Sequence, residues 1–157
     1  MVAERRTVGR VAPGGDTRGM SEATDRPPIA EHVITFRVRY PETDPVGVVH
    51  HSRFLQYFEM GRIELLRSLG HSYADLERQG VFFVVTRAEV RYRAPARFDD
   101  VLTLTTRLVR ATHVRYDHSY ELRRDGTLLA EGQTTIACVD RAGQLIAIPE
   151  SLGMTAP

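Results

Sequence analysis

There is no lysine in these 157 residues; all 21 basic side chains are arginine. That absence excludes Schiff-base catalysis and the lysine anchor of pyridoxal phosphate. It also excludes a phosphate-loop lysine. No G-x-S-x-G occurs, so the usual serine-hydrolase elbow is missing. Cys138 is the only cysteine, so no intrachain disulfide can form. A reducing, cytoplasmic setting is the expectation for such a chain. No apolar run approaches the ~18 residues of a membrane span, so no stable membrane insertion is expected. The net charge of +1 gives no global attraction to nucleic acid or to an anionic membrane. Tryptophan is absent as well, which decides nothing.

What is present suits one globular domain. The chain is 42% hydrophobic and 26% charged, enough for a real core. Residues 1–30 read as a disordered tail, rich in glycine, proline and scattered charge with little apolar patterning. Their arginines precede no apolar segment, so a secretory signal is not expected, and Met20 is a candidate start. The domain is expected over residues 31–157, without internal repeats.

Periodicity predicts one long helix among several strands. His32 to Tyr40 alternates, with Phe36, Val38 and Tyr40 on one face and Arg37 and Arg39 on the other. Ser52 to Leu69 reads as a helix with Ser52 as N-cap. Leu55, Phe58, Leu65, Leu66 and Leu69 form its apolar stripe, flanked by Phe54 and Ile63. Gly61 in mid-helix costs about 1 kcal/mol relative to alanine, which close packing against a sheet would explain. Ser72 to Gln79 adds a short helix. Strands follow at Val81–Val85, Val90–Ala94, Val101–Arg110, Val114–Arg123, Thr127–Val139 and Gln144–Ile148. Asp125-Gly126 is a hairpin turn. The order implies an α+β domain with one long helix on a curved, mostly antiparallel sheet. A single helix covers one sheet face, so a second copy is expected on the other face or an edge.

The chemistry concentrates in YPETDPVGVVHHSRFLQYFE, residues 40–59. Pro45 pushes Asp44 towards extended backbone, and Gly47 permits a sharp turn or close ligand approach. Val48 and Val49 tuck the segment inward. The helix then opens at His51-Ser52, where free N–H groups and partial positive charge collect. Such an end polarises an acyl carbonyl as an oxyanion hole does, and a nearby carboxylate can act on that carbonyl or on water. Asp before Pro and near Gly is equally ordinary turn chemistry. His50 and His51 point apart as neighbours do, with no third ligand at helical spacing, so a packed histidine is the better reading than a metal site.

The same stretch resembles the 4-hydroxybenzoyl-CoA thioesterase and Tol-Pal-associated acyl-CoA thioesterase group of the hot-dog fold. Tyr40, Thr43, Asp44, Gly47, Val48, Val49, His51, Leu55, Phe58, Glu59 and Arg62 match its pattern. So do Tyr92, Pro95, Ala96, Phe98, Asp99 and Asp100 in VRYRAPARFDD, and DGTLLAEGQTTIACVD resembles its closing hairpin. The resemblance spans about residues 33–150. It implies a long central helix wrapped by a curved antiparallel sheet, in homodimers or homotetramers with active sites where subunits meet. It implies an acyl-CoA thioesterase, with coenzyme A entering only as part of the substrate and no cofactor or metal. Asp44 takes the place of the catalytic carboxylate, as nucleophile or general base. His51 takes the place of the residue whose backbone N–H polarises the thioester. The chain departs from the pattern at Glu42, where an Asp is common, at His50, often aromatic, and at Arg53-Phe54. The Asp-x4-His pair of hot-dog hydratases is not met. Hydrolysis on acyl carrier protein and non-catalytic acyl-CoA binding are the alternatives.

Other residues carry two readings each. Thr86 lies where the family lines its acyl pocket, or is an ordinary strand threonine. Arg110, His113 and Arg115 surround a turn where relatives contact the nucleotide, and arginine suits phosphate; a solvated charged turn is the alternative. With Gly47, Val48 and His50 these make the expected substrate-binding set. Glu59 and Arg62, at i and i+3, are expected to form a structural ion pair, and Cys138 to be a core residue.

Overall fold

The computed structural model describes residues 27–153; all but the last four residues of the expected tail lie outside that range. The chain runs β1 (Ala30–Arg37), a 3-10 turn (Tyr40–Glu42), α1 (Arg53–Ser68), α2 (Tyr73–Arg78), β2 (Phe82–Tyr92), β3 (Val101–Ala111), β4 (Arg115–Arg124), β5 (Thr127–Val139) and a 3-10 turn (Glu150–Leu152). The five strands form one antiparallel sheet in the order β1-β3-β4-β5-β2. β1 and β2 are its edges.

Alternation decides which face meets α1. On β4, Tyr116, His118, Tyr120 and Leu122 are buried while Arg115, Asp117, Ser119 and Glu121 alternate with them, as the period of two requires. Phe58 of α1 stacks on Tyr120 with ring centroids 4.3 Å apart. Two glycines let the helix sit this low. A methyl at Gly61 would collide with the Thr106 hydroxyl and lie 2.8 Å from Leu104 Cδ2. A methyl at Gly132 of β5 would collide with the Phe58 ring and lie 2.8 Å from the Glu89 carbonyl. The expected close packing at Gly61 is therefore seen.

Several expectations need correction. The buried stripe of α1 is Phe54, Tyr57, Phe58, Gly61, Arg62, Leu65 and Leu66; Leu55 and Leu69 are exposed. Leu69 is the C-cap residue, past the last residue of α1, and Leu55 lies at the margin of the stripe on the first turn. Tyr40 leaves β1 before the strand's register can carry it inward and is 74% exposed. The apolar run at Val81 and the alternating segment to Ala94 are not two strands. They form the single strand β2, which absorbs the change of pattern in a bulge between Val85 and Arg87. Residues 144–148 make one bridge, Val139 to Leu145, instead of a strand. Glu59 makes no ion pair with Arg62, whose Nη1 donates to the Tyr120 hydroxyl at 3.1 Å.

Candidate active site

The loop from β1 to α1 is a small closed hairpin. Thr43 pairs with Val49, the Asp44 N–H donates to the Val48 carbonyl at 2.9 Å, and the Gly47 N–H donates to the Asp44 carbonyl at 2.9 Å. Gly47 has φ +82°, a left-handed backbone that glycine adopts without strain. The Asp44 carboxylate accepts from the Val46 N–H at 2.9 Å and the Val48 N–H at 3.5 Å. This is an Asx turn. Ordinary turn chemistry is thus present at Asp44, and it leaves the other carboxylate oxygen available on a half-buried side chain. Val49 is buried and its N–H donates to the Ala96 carbonyl at 2.8 Å. Val48 is only half-buried, so one valine of the pair enters the core.

The mouth of α1 is built from the histidine pair. The His50 N–H donates to the Glu42 carbonyl at 2.9 Å. Its ring Nδ1 lies 2.8 Å from the Ser52 hydroxyl and accepts from the Ser52 N–H at 3.3 Å. The Ser52 hydroxyl caps nothing, so His50 takes over the capping expected of Ser52. Contrary to expectation the rings of His50 and His51 do not point apart but lie 4.1 Å from each other, and both are exposed, so His50 is hydrogen-bonded without being packed. The His51 carbonyl accepts from the Tyr92 hydroxyl at 3.0 Å and from the Phe54 N–H at 3.4 Å. Among the described residues the His51 N–H has no partner. One open N–H therefore stands at a helix N-terminus, on the same loop as a half-exposed carboxylate.

Glu42, which the motif marked only as a departure from the family pattern, is a buried carboxylate. Glu42 is 3% exposed. It accepts from the Arg39 N–H at 2.7 Å, from the Arg39 guanidinium at 3.0 and 2.7 Å, and from the Tyr57 hydroxyl at 3.0 Å. Burial acts to raise its carboxyl, and these donors outweigh burial, holding it below the usual carboxylate range. Burial, and then the bond to Glu42, push the Tyr57 phenol up. The available signal was Tyr57 itself: a tyrosine on the apolar stripe needs a partner for its hydroxyl.

The remaining expected residues lie elsewhere. Thr86, Arg110 and Arg115 line a cavity of about 1050 Å³ together with Arg87, Asp117 and Thr135. Arg115 and Asp117 point away from α1, so this cavity opens on the opposite side of the sheet. Asp44, Gly47, Val48, His50 and His51 do not line it. Within one chain the two halves of the expected set are not brought together. His113 sits exposed at the β3–β4 turn, its carbonyl accepting from the Ile148 N–H at 2.8 Å. Cys138 is fully buried, and burial raises its thiol; it is a core residue. Among the described residues, no three His, Cys, Asp or Glu side chains cluster as a metal site requires.

Residues 38–154 match the model of the thioesterase-like superfamily. The acyl-CoA thioester hydrolase YbgC of Escherichia coli O6:H1 is 37% identical over 106 residues, covering 66% of this chain and 78% of that protein. The crystal structure of TT1821 from Thermus thermophilus is 40% identical with a TM-score of 0.74, over 76% of this chain and 92% of that one. The DHNA-CoA thioesterase of Staphylococcus aureus is 28% identical with a TM-score of 0.72, over 77% and 81%. With a family match over most of its length and solved structures that share its fold, the chain belongs to the thioesterase-like superfamily of hot-dog proteins.

Proposed function

We propose that the protein is an acyl-CoA thioesterase of the 4-hydroxybenzoyl-CoA and Tol-Pal-associated type: acyl-S-CoA and water give a carboxylic acid and free CoA. The observation that carries this is the unpartnered His51 N–H at the mouth of α1, on the loop that bears Asp44. As general base, Asp44 takes a proton from water while the water oxygen bonds to the thioester carbon. The carbonyl oxygen becomes an oxyanion held by the His51 N–H. Collapse breaks the C–S bond, and the departing thiolate recovers the proton from Asp44. As nucleophile, Asp44 would instead bond to the thioester carbon and expel the CoA thiolate, forming a mixed anhydride; water then cleaves it to the carboxylic acid and the Asp44 carboxylate, and its remaining proton goes to the thiolate. The YbgC relative, named an acyl-CoA thioester hydrolase, supports the substrate class.

A second copy completes this reading. β2 is a sheet edge with Val84 43% and Val85 52% exposed, and an open apolar edge invites another strand. A partner there would face Thr86 and bring its own cavity, with Arg110 and Arg115 for the CoA phosphates, towards the Asp44 loop. Thiol release from a series of short, long and aromatic acyl-CoAs, measured for the native chain and Asp44→Asn, tests the function. Loss of about 10²- to 10⁴-fold in Asp44→Asn is expected; full retained activity would remove Asp44 from the mechanism. Inhibition by free CoA separates this reading from hydrolysis on acyl carrier protein.

A further inference from the structure

We propose that Glu42 is a positioning residue that holds Asp44 in register with the His51 N–H; this rests on the catalytic reading of Asp44. The Asp44 carboxylate is bonded only within its own turn, to Val46 and Val48. Nothing in that turn relates Asp44 to the helix. The relation is made at the feet of the hairpin. Glu42 and His50 stand on either side of the Thr43–Val49 bridge and are joined by the 2.9 Å bond from the His50 N–H to the Glu42 carbonyl. The Glu42 side chain then reaches Tyr57, which is buried on the second turn of α1. One residue thus grips the incoming strand through Arg39, the outgoing chain through His50, and the helix through Tyr57.

A surface turn does not need such a foot. Burying a carboxylate is unfavourable unless every lone pair is engaged. The Arg39 partner is 75% exposed on its side chain, where an ion pair contributes little stability. What the arrangement does provide is four directional bonds to one carboxylate and a fifth to the same residue's carbonyl, at the feet of the hairpin that bears Asp44. A displacement near 1 Å of a catalytic group is enough to lose about 10²-fold in rate.

The experiment is a double-mutant cycle read as kcat and KM by thiol release, with thermal melts of each protein. Glu42→Gln and Tyr57→Phe are made in the native chain and in Asp44→Asn. In the native background each is expected to lower kcat by about 10- to 100-fold with KM nearly constant. In the Asp44→Asn background neither should lower the residual rate further, because the group they position is gone. Equal loss in both backgrounds, or no loss in either, overturns the proposal. A fully active Asp44→Asn overturns the catalytic reading of Asp44 and this proposal with it. Tyr57→Phe removes a single oxygen and leaves the Arg39 bonds intact, so it decides the matter if Glu42→Gln does not fold.

Discussion

Gly61 of α1 sits directly on Thr106 of β3: a methyl group on the glycine would overlap the threonine hydroxyl and lie 2.8 Å from Leu104. Thr106 is fully buried, and among the described residues its hydroxyl has no hydrogen-bond partner. The contact sets the height of the helix over the sheet, and so the height of the helix mouth. Gly61→Ala gains about 1 kcal/mol of helix propensity and meets an overpacking cost of about 1–3 kcal/mol. Net destabilisation by urea melts is the expected outcome. Thr106→Ala should be mild alone, since it removes an unsatisfied hydroxyl, and should relieve part of the Gly61→Ala defect, a coupling that chemical denaturation of the double mutant reads directly.

The helix mouth makes a distinction between backbone and side chain. His51→Ala keeps its N–H and is expected to retain activity within about tenfold. His51→Pro removes that donor and should lose about 10²–10³-fold in kcat. His50→Ala removes the ring that accepts from the Ser52 N–H and should cost about 1 kcal/mol of stability, the scale of a lost cap. Steady-state kinetics with melts of the three variants checks all of this, and a His51→Ala that is as inactive as His51→Pro would shift the role to the imidazole.

His118 predicts a pH dependence of stability. Burial, and then the nearby Arg62 charge, push its imidazole down to about 3 from an ordinary 6.5. The native state therefore keeps this histidine neutral while the unfolded chain protonates it below about pH 6.5. Unfolded chains bind more protons throughout that interval, so stability falls as pH drops from about 6.5 towards 3. The slope from this group is at most about 1.4 kcal/mol per pH unit. Urea titrations at pH 7 and pH 5 should show the decline in the native chain and a flatter profile in His118→Met.

The open edge at β2 predicts assembly. Val84→Glu together with Val85→Glu places charge on a strand that is otherwise free to pair. Sedimentation should show a shift from dimer or larger to monomer, with loss of thiol release and a normal circular dichroism spectrum. An unaltered sedimentation coefficient would mean that copies associate elsewhere.

Much of the architecture was legible because local rules are strong in this chain. The expected strands Val101–Arg110, Val114–Arg123 and Thr127–Val139 fall within one residue of β3, β4 and β5, and Asp125-Gly126 placed the β4–β5 hairpin at Arg124–Thr127. The bulge in β2 was not legible: Val81–Val85 and Val90–Ala94 look like two strands, and only pairing with β5 makes them one. Leu55 looked like core and is exposed, because a leucine beside the stripe and one within it read alike until the helix has a sheet to face. Arg62 looked like the partner of Glu59 because they are neighbours on a helix; burial turned its guanidinium towards Tyr120 instead.

The site divides along the same line. Sequence alone determined that Asp44, Gly47 and His51 share one loop at a helix entrance, because bond connectivity keeps near neighbours near. Tertiary structure decided the rest. It joined Glu42 to Tyr57, set Tyr92 against the His51 carbonyl, and gathered Thr86, Arg110 and Arg115 around a cavity that Asp44 does not line. Those relations span separations that no local spacing encodes. They arise only when burial of one face of α1 selects a single seat on the sheet.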